Sequence, residues 1–206
     1  MTDNVRLTEM EVDQLKEITN IGAGNAATAL SHMIGQRVEM KVPESFIGGA
    51  EIVQRRLGGL NDKVVAVYFK VHGDIEGALV MILPMTSAIN LTELLTKEKI
   101  KNLDEIKPSH LSAVQEMGNI LLGASITALN KFLEISMIHT IPDAAVDMLG
   151  SVMDEVMLGV GSVHGDVLAF KVSIEVADKH AKADFYYLFD PVSSAKVLRN
   201  LSKILR

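Results

Sequence analysis

The residues best suited to chemistry in this sequence are two pairs, each combining a carboxylate with a carboxamide. Glu17 is followed three residues later by Asn20, and Glu116 is followed three residues later by Asn119. An amide side chain cannot act as a base, but its carbonyl and NH₂ groups can hold a water molecule. Each pair is therefore a candidate site at which a water molecule is oriented beside a carboxylate.

The two pairs belong to one internal repeat with a constant offset. The second pair lies 99 positions after the first. The same offset relates further residues on both sides of the pairs: Asp13 and Ser112, Gly24 and Gly123, Thr28 and Thr127, Leu30 and Leu129, and Pro43 and Pro142. Matches at one offset over about thirty residues indicate that the chain contains a duplicated unit.

Both pairs are predicted to lie on the polar face of an amphipathic helix. At about 100° per residue, Glu17 and Asn20 fall within about 40° of Asp13 on a helical wheel. Ordinary solvated residues give such a polar face on a single helix, so one copy alone would indicate little. Two copies with identical spacing favour a functional site. The apolar residues of the two segments fall on the opposite face: Leu15, Ile18, Ala26, Ala29, Val114, Met117, Leu121 and Ala128.

Helix and strand signals place both pairs near the start of a long helix. Thr8 and Glu11 have the form of a capping box, which predicts a helix that runs to about Ile34 and ends near Gly35. A second long helix is predicted over residues 109–133, and shorter helices over 86–95 and after Asp190-Pro191. Strands are predicted over residues 38–42, 52–57, 64–71, 78–83, 135–141, 155–163, 167–176 and 185–189.

Each half of the chain therefore runs helix, strands, helix. This order predicts an α+β fold with pseudo-twofold symmetry, in which the long helices pack on an antiparallel sheet. We predict a single domain over residues 1–206 made of two pseudo-repeats, about 8–99 and 107–206. The boundary falls in the polar stretch between them.

Composition excludes several classes of function. The net charge is −6 and no stretch concentrates Lys or Arg, so nucleic-acid binding is not expected. The absence of Cys excludes disulfides and thiolate sites. The apolar runs are strand-sized, well short of the ~20 residues that span a bilayer, so we expect a soluble, cytoplasmic protein without membrane insertion.

Cofactor and metal signals are weak. The segment from Gly22 to Ala27 matches the dinucleotide pattern G-x-G-x-x-A, but that pattern requires a preceding strand and this one follows a predicted helix. The six His residues show no metal-ligand spacing. We therefore expect no cofactor or metal site of the chain's own.

The duplicated patterns resemble the signature of the CheC/CheX/FliY family of phosphatases. In that signature, Asp or Ser is followed at fixed spacing by Glu, Asn and, after a longer gap, Pro; here it ends at Pro43 and again at Pro142. The resemblance covers roughly residues 8–200. CheX-like members carry one pattern and FliY-like members an additional C-terminal module, so two patterns without such a module are most similar to the CheC branch.

The resemblance implies hydrolysis of the aspartyl phosphate of a phosphorylated CheY-like response regulator. It implies that Glu17 and Glu116 pair with a Lys of the regulator, and that Asn20 and Asn119 position the attacking water, as a Gln does in GTPases. The regulator would supply the phosphorylated Asp and the Mg²⁺. The remaining signature residues are implied to support the motif structurally: Asp13, Pro43, Ser112 and Pro142.

The resemblance also implies a second partner, the receptor deamidase CheD. This leaves an alternative open: a non-catalytic binding module or adaptor that sequesters the phosphorylated regulator or regulates CheD. A structural piece of the flagellar switch is a weaker alternative, because no FliY-like extension is present.

Overall fold

The computed structural model describes residues 8–101, 105–160, 166–176 and 181–204. These residues form an α+β fold in which each half begins and ends with a helix and has strands and one further helix between them. The helices are α1 (Glu9–Ile34), α2 (Ala50–Leu57), α3 (Met85–Thr96), α4 (Pro108–Leu133), α5 (Leu149–Gly159) and α6 (Pro191–Ile204). The strands are β1 (Val38–Gly48), β2 (Lys63–Gly73), β3 (Gly77–Pro84), β4 (Met137–His139), β5 (Asp143–Met148), β6 (Val167–Val176) and β7 (Ala181–Phe189).

All the strands belong to one antiparallel sheet in which the two halves are interleaved. The order is β1-β6-β7-β3-β2-β4, and β5 also pairs with β2. The first strand of each half therefore pairs with a strand of the other half, β1 with β6 and β4–β5 with β2. If the equivalent strands of the two halves are exchanged, the same strand order is obtained when the sheet is read from its opposite edge. A pseudo-twofold axis therefore passes between β3 and β7. The predicted fold class is confirmed.

Helices cover both faces of the sheet. On one face, α1, α3, α4 and α6 pack over a large core that includes Phe69, Phe170 and Phe185. On the other face, α2 and α5 pack over a smaller core that includes Phe46 and Tyr186. The arrangement is three layers, with the four longer helices together on one side.

The second helical layer corrects two predictions, because residues 52–57 and 155–159, predicted as strand, are helical and Val160 is a turn that ends the second of these helices. Residues 52–57 lie in α2, residues 155–159 lie in α5, and residues 161–163 lie outside the described residues. In α5, buried apolar side chains recur at intervals of one, three and four residues, which is a helical period. Short apolar runs do not distinguish a strand from a buried helix, and packing on the sheet decides the outcome.

The ends of the two long helices agree with their sequence signals. The Thr8 hydroxyl accepts from the Glu11 amide at 3.3 Å, and the Glu11 carboxylate accepts from the Thr8 amide at 2.9 Å, which forms the predicted capping box. Helix α1 ends at Gly35, whose φ of 67° is the left-handed conformation that glycine adopts easily. Helix α4 begins at Pro108. Proline suits the first turn of a helix, because the amide N–H that it lacks would have no partner within the helix.

Candidate functional site

The two long helices lie side by side and meet at Gly22. A Cβ added at Gly22 would lie 3.1 Å from the Ala128 Cβ and 3.2 Å from the Ser125 Cα, so glycine permits this close approach. By the pseudo-twofold symmetry, position 121 of α4 lies against positions 26–29 of α1 in the same way. Both contacts can form only if the two helices are antiparallel. Asn20 and Asn119 are then separated by roughly 13 Å along the helix axes, at about 1.5 Å per residue.

The structure places the Glu and Asn of each pair on the outer face of its helix. Glu17, Asn20 and Glu116 are exposed and Asn119 is partly exposed. The apolar residues of the opposite face are buried in the core, including Leu15, Ile18, Val114, Met117 and Leu121, except that Ala29 is partly exposed. The Glu and Asn side chains thus lie on the solvent-facing sides of α1 and α4.

One turn beyond each asparagine, a glycine leaves the helix surface bare. A Cβ built on Gly24 or on Gly123 meets no atom within 4 Å. The hydroxyl of Thr28 donates to the Gly24 carbonyl at 2.9 Å, and the hydroxyl of Thr127 donates to the Gly123 carbonyl at 2.7 Å. Each threonine thereby folds back onto its own helix, and the surface beside each pair stays open to an approaching molecule.

The exit from each long helix is held by a polar side chain at equivalent positions. In the first half, the Ser31 hydroxyl accepts from the Val38 amide at 3.0 Å. In the second half, Asn130 accepts from the Met137 amide at 2.9 Å and donates to the Met137 carbonyl at 3.0 Å. These bonds fix where the strand that follows each long helix starts relative to the end of that helix.

Both signature prolines lie at an irregularity in a strand. In the first half, the pairing of β1 with β6 shifts register between Lys41 and Glu44, which brackets Pro43. In the second half, Pro142 lies between β4 and β5. Proline lacks the amide that a ladder requires, and bulges of this kind redirect a strand next to a site.

The second bulge forms the wall of a groove beside Glu116 and Asn119. This groove has a volume of about 380 Å³ and is lined by α4 and by residues 139–142. The structure therefore brings all four signature residues of the second half together in one place. The lining residues are Ser112, Gln115, Glu116, Asn119, His139, Thr140, Ile141 and Pro142.

Contacts on both sides fix this wall. The Gln115 side-chain NH₂ donates to the Pro142 carbonyl at 2.9 Å. On the sheet side, the Thr140 amide donates to the Lys70 carbonyl at 3.0 Å, and the Lys70 amide donates to the Thr140 hydroxyl at 3.1 Å. The His139 ring packs edge-on against Phe69, with the ring centroids 5.8 Å apart. The sequence patterns indicated neither Gln115 nor His139, which become apparent only when β4 lies beside α4.

A polar cluster fixes the start of α4. His110 is buried and its Nδ1 accepts from the Lys107 amide at 3.2 Å, which leaves Nε2 to donate to the Glu98 carboxylate at 3.2 Å. The Lys107 ammonium bonds the same carboxylate at 3.1 Å. Lys107, and then His110, hold the pKa of the Glu98 carboxyl below its ordinary value.

Residues 8–101, 105–160, 166–176 and 181–204, which the structure describes, contain neither a metal-ligand cluster nor a helix suited to cross a membrane. In these ranges, no three His, Asp or Glu side chains are grouped so that they could hold a metal ion. No helix within the described part of the chain is both long enough and apolar enough to cross a bilayer.

Comparisons with known proteins agree on one family. A model of the CheC-like family matches residues 10–47 and 110–144, which contain both patterns and both prolines. The chain is 26% identical over 195 residues to the CheY-P phosphatase CheC of Bacillus subtilis (strain 168), and the match covers 93% of each protein.

Solved structures agree on the fold. The crystal structure of Thermotoga maritima FliY matches with a TM-score of 0.76 and 23% identity, over 96% of this chain and 98% of that one. A chain of the CheX-CheY-BeF3-Mg²⁺ complex from Borrelia burgdorferi matches with a TM-score of 0.54 and 19% identity, over 84% of this chain and 97% of that one. At these identities the likeness shows the fold.

Proposed function

We propose that this chain, which belongs to the CheC-like family, hydrolyses the aspartyl phosphate of a phosphorylated CheY-like response regulator. The observation that carries the proposal is the position of the Glu–Asn pairs on exposed ridges of α1 and α4. The second pair borders an open groove, and side chains exposed in this way do not by themselves enclose a small molecule. They can enter a pocket that a macromolecular substrate brings with it, and the active site of a phosphorylated regulator is such a pocket.

In the proposed mechanism, each glutamate docks and each asparagine orients water. Glu17 and Glu116 pair with a Lys of the regulator, and this pairing places the neighbouring amide against the phosphoryl group. Asn20 and Asn119 then hold a water molecule in line with the phosphorus. An acyl phosphate is already activated, so the reaction needs no nucleophile or base from this chain.

The electrostatic part of catalysis comes from the regulator. Its Mg²⁺ neutralises the charge that develops on the transferred phosphoryl group. What this chain adds is orientation, and one well-placed orienting group is worth about 10²–10³ in rate, or about 3–4 kcal/mol. We propose that the chain needs no metal or cofactor of its own.

We also propose that the chain binds the receptor deamidase CheD, which the resemblance to the family implies. The alternative function is that of an adaptor, which sequesters the phosphorylated regulator or regulates CheD without turnover. Sequestration predicts that stoichiometric amounts are required and that removal of the amide groups matters little, so these two dependences separate the functions.

The test follows the decay of a phosphorylated CheY-type regulator in Mg²⁺ with a sub-stoichiometric amount of this protein. Many regulator molecules dephosphorylated per chain are expected, and Asn20→Ala with Asn119→Ala should remove at least 10² of the acceleration while regulator binding remains. Asn25→Ala is the matched control, because Asn25 is an exposed asparagine of α1 outside the pattern.

Two outcomes would contradict the catalytic proposal. If stoichiometric amounts are required and the double variant behaves like the parent, the chain acts as a binding module. If the cognate regulator is not affected at all, the assay is repeated with CheD present, and continued absence of turnover supports the adaptor alternative.

A further inference from the structure

The wall of the second groove is tied to the helix that carries Glu116 and Asn119. Gln115 directly precedes Glu116 and lies one turn before Asn119, and its side-chain NH₂ donates to the Pro142 carbonyl at 2.9 Å. We propose that Gln115 is a positioning residue of the second site, which fixes the bulge at residues 141–142 at the distance from α4 that the regulator requires. This inference rests on the proposed function of that site.

The bulge needs such a bond because it leaves the strand ladder. Thr140 bonds to Lys70, and Asp143 pairs with Tyr68, so residues 141 and 142 together oppose the single residue Phe69 of β2. A bulge of this kind has an interrupted ladder, and its proline has no amide to contribute. The Gln115 side chain gives the Pro142 carbonyl a partner on the helix side.

The hydrogen bonds that hold the wall to the sheet and the hydrogen bond that holds it to α4 have different roles. The bonds between Thr140 and Lys70 hold the wall to the sheet, whatever residue stands at position 115. The bond from Gln115 sets only the spacing between the wall and α4. Loss of that bond should therefore change the width of the groove and leave the fold intact.

The wall presents a large apolar side chain beside the pair. Ile141 is 89% exposed at the edge of the groove. Because Ile141 lies next to the proposed docking carboxylate, the bound regulator would cover it. It can contribute to regulator affinity only if its distance from Glu116 is fixed, and Gln115 fixes that distance.

The chain itself suggests the substitutions. Methionine has the length of glutamine but no donor, so Gln115→Met removes the bond while keeping the volume. Lysine is the residue at the equivalent position of the first half, Lys16, and it carries a donor on a longer side chain. Gln115→Lys should therefore retain the contact with the Pro142 carbonyl.

The experiment isolates the second site with Asn20→Ala and compares Gln115→Met with Gln115→Lys in that background. We expect Gln115→Met to raise KM for the phosphorylated regulator about tenfold with kcat nearly unchanged, since one hydrogen bond that sets the docking surface is lost. We expect Gln115→Lys to stay within about threefold of the parent. Affinity for the BeF3-Mg²⁺ form of the regulator should change in parallel. An unchanged KM for Gln115→Met, or an equal rise for both variants, would overturn the inference.

A measurement without the regulator separates this inference from the proposed function. If the Asn20→Ala parent neither turns over nor binds the activated regulator, the proposed function fails. Amide hydrogen exchange of the isolated protein then judges the role of Gln115. Exchange at the Asp143 amide, which follows the Pro142 carbonyl and begins the pairing with Tyr68, should become several-fold faster in Gln115→Met and should not change in Gln115→Lys. Equal exchange in all three proteins contradicts the positioning role.

Discussion

Replacing the glycines beside the two pairs should increase stability and reduce activity at once. Gly24 and Gly123 lie in the interiors of α1 and α4, and a Cβ at either position meets no atom within 4 Å. The folded chain therefore gives no steric reason for glycine at these positions. The reason we infer is that the regulator must approach the helix surface closely here.

The stability change follows from helix propensity. Glycine in a helix interior is about 0.8–1.0 kcal/mol less favourable than alanine. Gly24→Ala with Gly123→Ala should therefore stabilise the fold by about 2 kcal/mol, which corresponds to roughly 4–8 °C in Tm for a domain of this size. Gly22→Ala is the matched control, because its Cβ would lie 3.1 Å from the Ala128 Cβ. Crowding between the helices should cancel its propensity gain.

The activity change is measured as kcat/KM for a phosphorylated CheY-type regulator. One methyl group inserted into each close interface should lower kcat/KM roughly tenfold, equivalent to about 1.4 kcal/mol, mainly through KM. A double variant that is more stable and fully active would refute the close approach at the glycines. A double variant that is less stable would refute the open space that the structure shows.

Two further predictions concern the elements that hold α1 and α4 in place. Asn130→Ala leaves the amide and the carbonyl of Met137 without their side-chain partner, and should lower the free energy of unfolding by roughly 2 kcal/mol in urea titrations; an unchanged midpoint would contradict the role of this bond in the helix exit. Glu98→Gln should destabilise the protein at neutral pH and have no effect in acid. Because Lys107 and His110 lower the pKa of Glu98, its contribution is present above the ordinary carboxyl range and is lost as the pH falls through the lowered value. Urea titrations of both proteins across that range measure the difference, and a difference that persists in acid would contradict the assigned cause.

The two long helices, α1 and α4, and the residues on their outer faces could be predicted from the sequence alone. The reason is that helix formation depends on contacts within a few residues, so the spacing of Glu17, Asn20 and the apolar residues defines a polar and an apolar face directly. The capping box at Thr8 and the glycine at position 35 are equally local, and the structure has both ends where these signals place them. The repeat offset also predicted the pseudo-twofold symmetry of the fold.

The pairing of strands between the two halves could not be predicted from the sequence, because it depends on tertiary contacts. The pairing of β1 with β6 links residues more than a hundred positions apart, and the pairing of β4–β5 with β2 links residues more than sixty positions apart. No local pattern encodes such pairing. The short helices α2 and α5 are likewise helical because they pack on the second face of the sheet. The groove wall has the same origin: Gln115 meets Pro142, and His139 lies beside Glu116 and Asn119, only because a bulge in an edge strand lies against α4. The chemistry-bearing residues could be found from spacing along one helix, whereas their surroundings depend on contacts between distant segments.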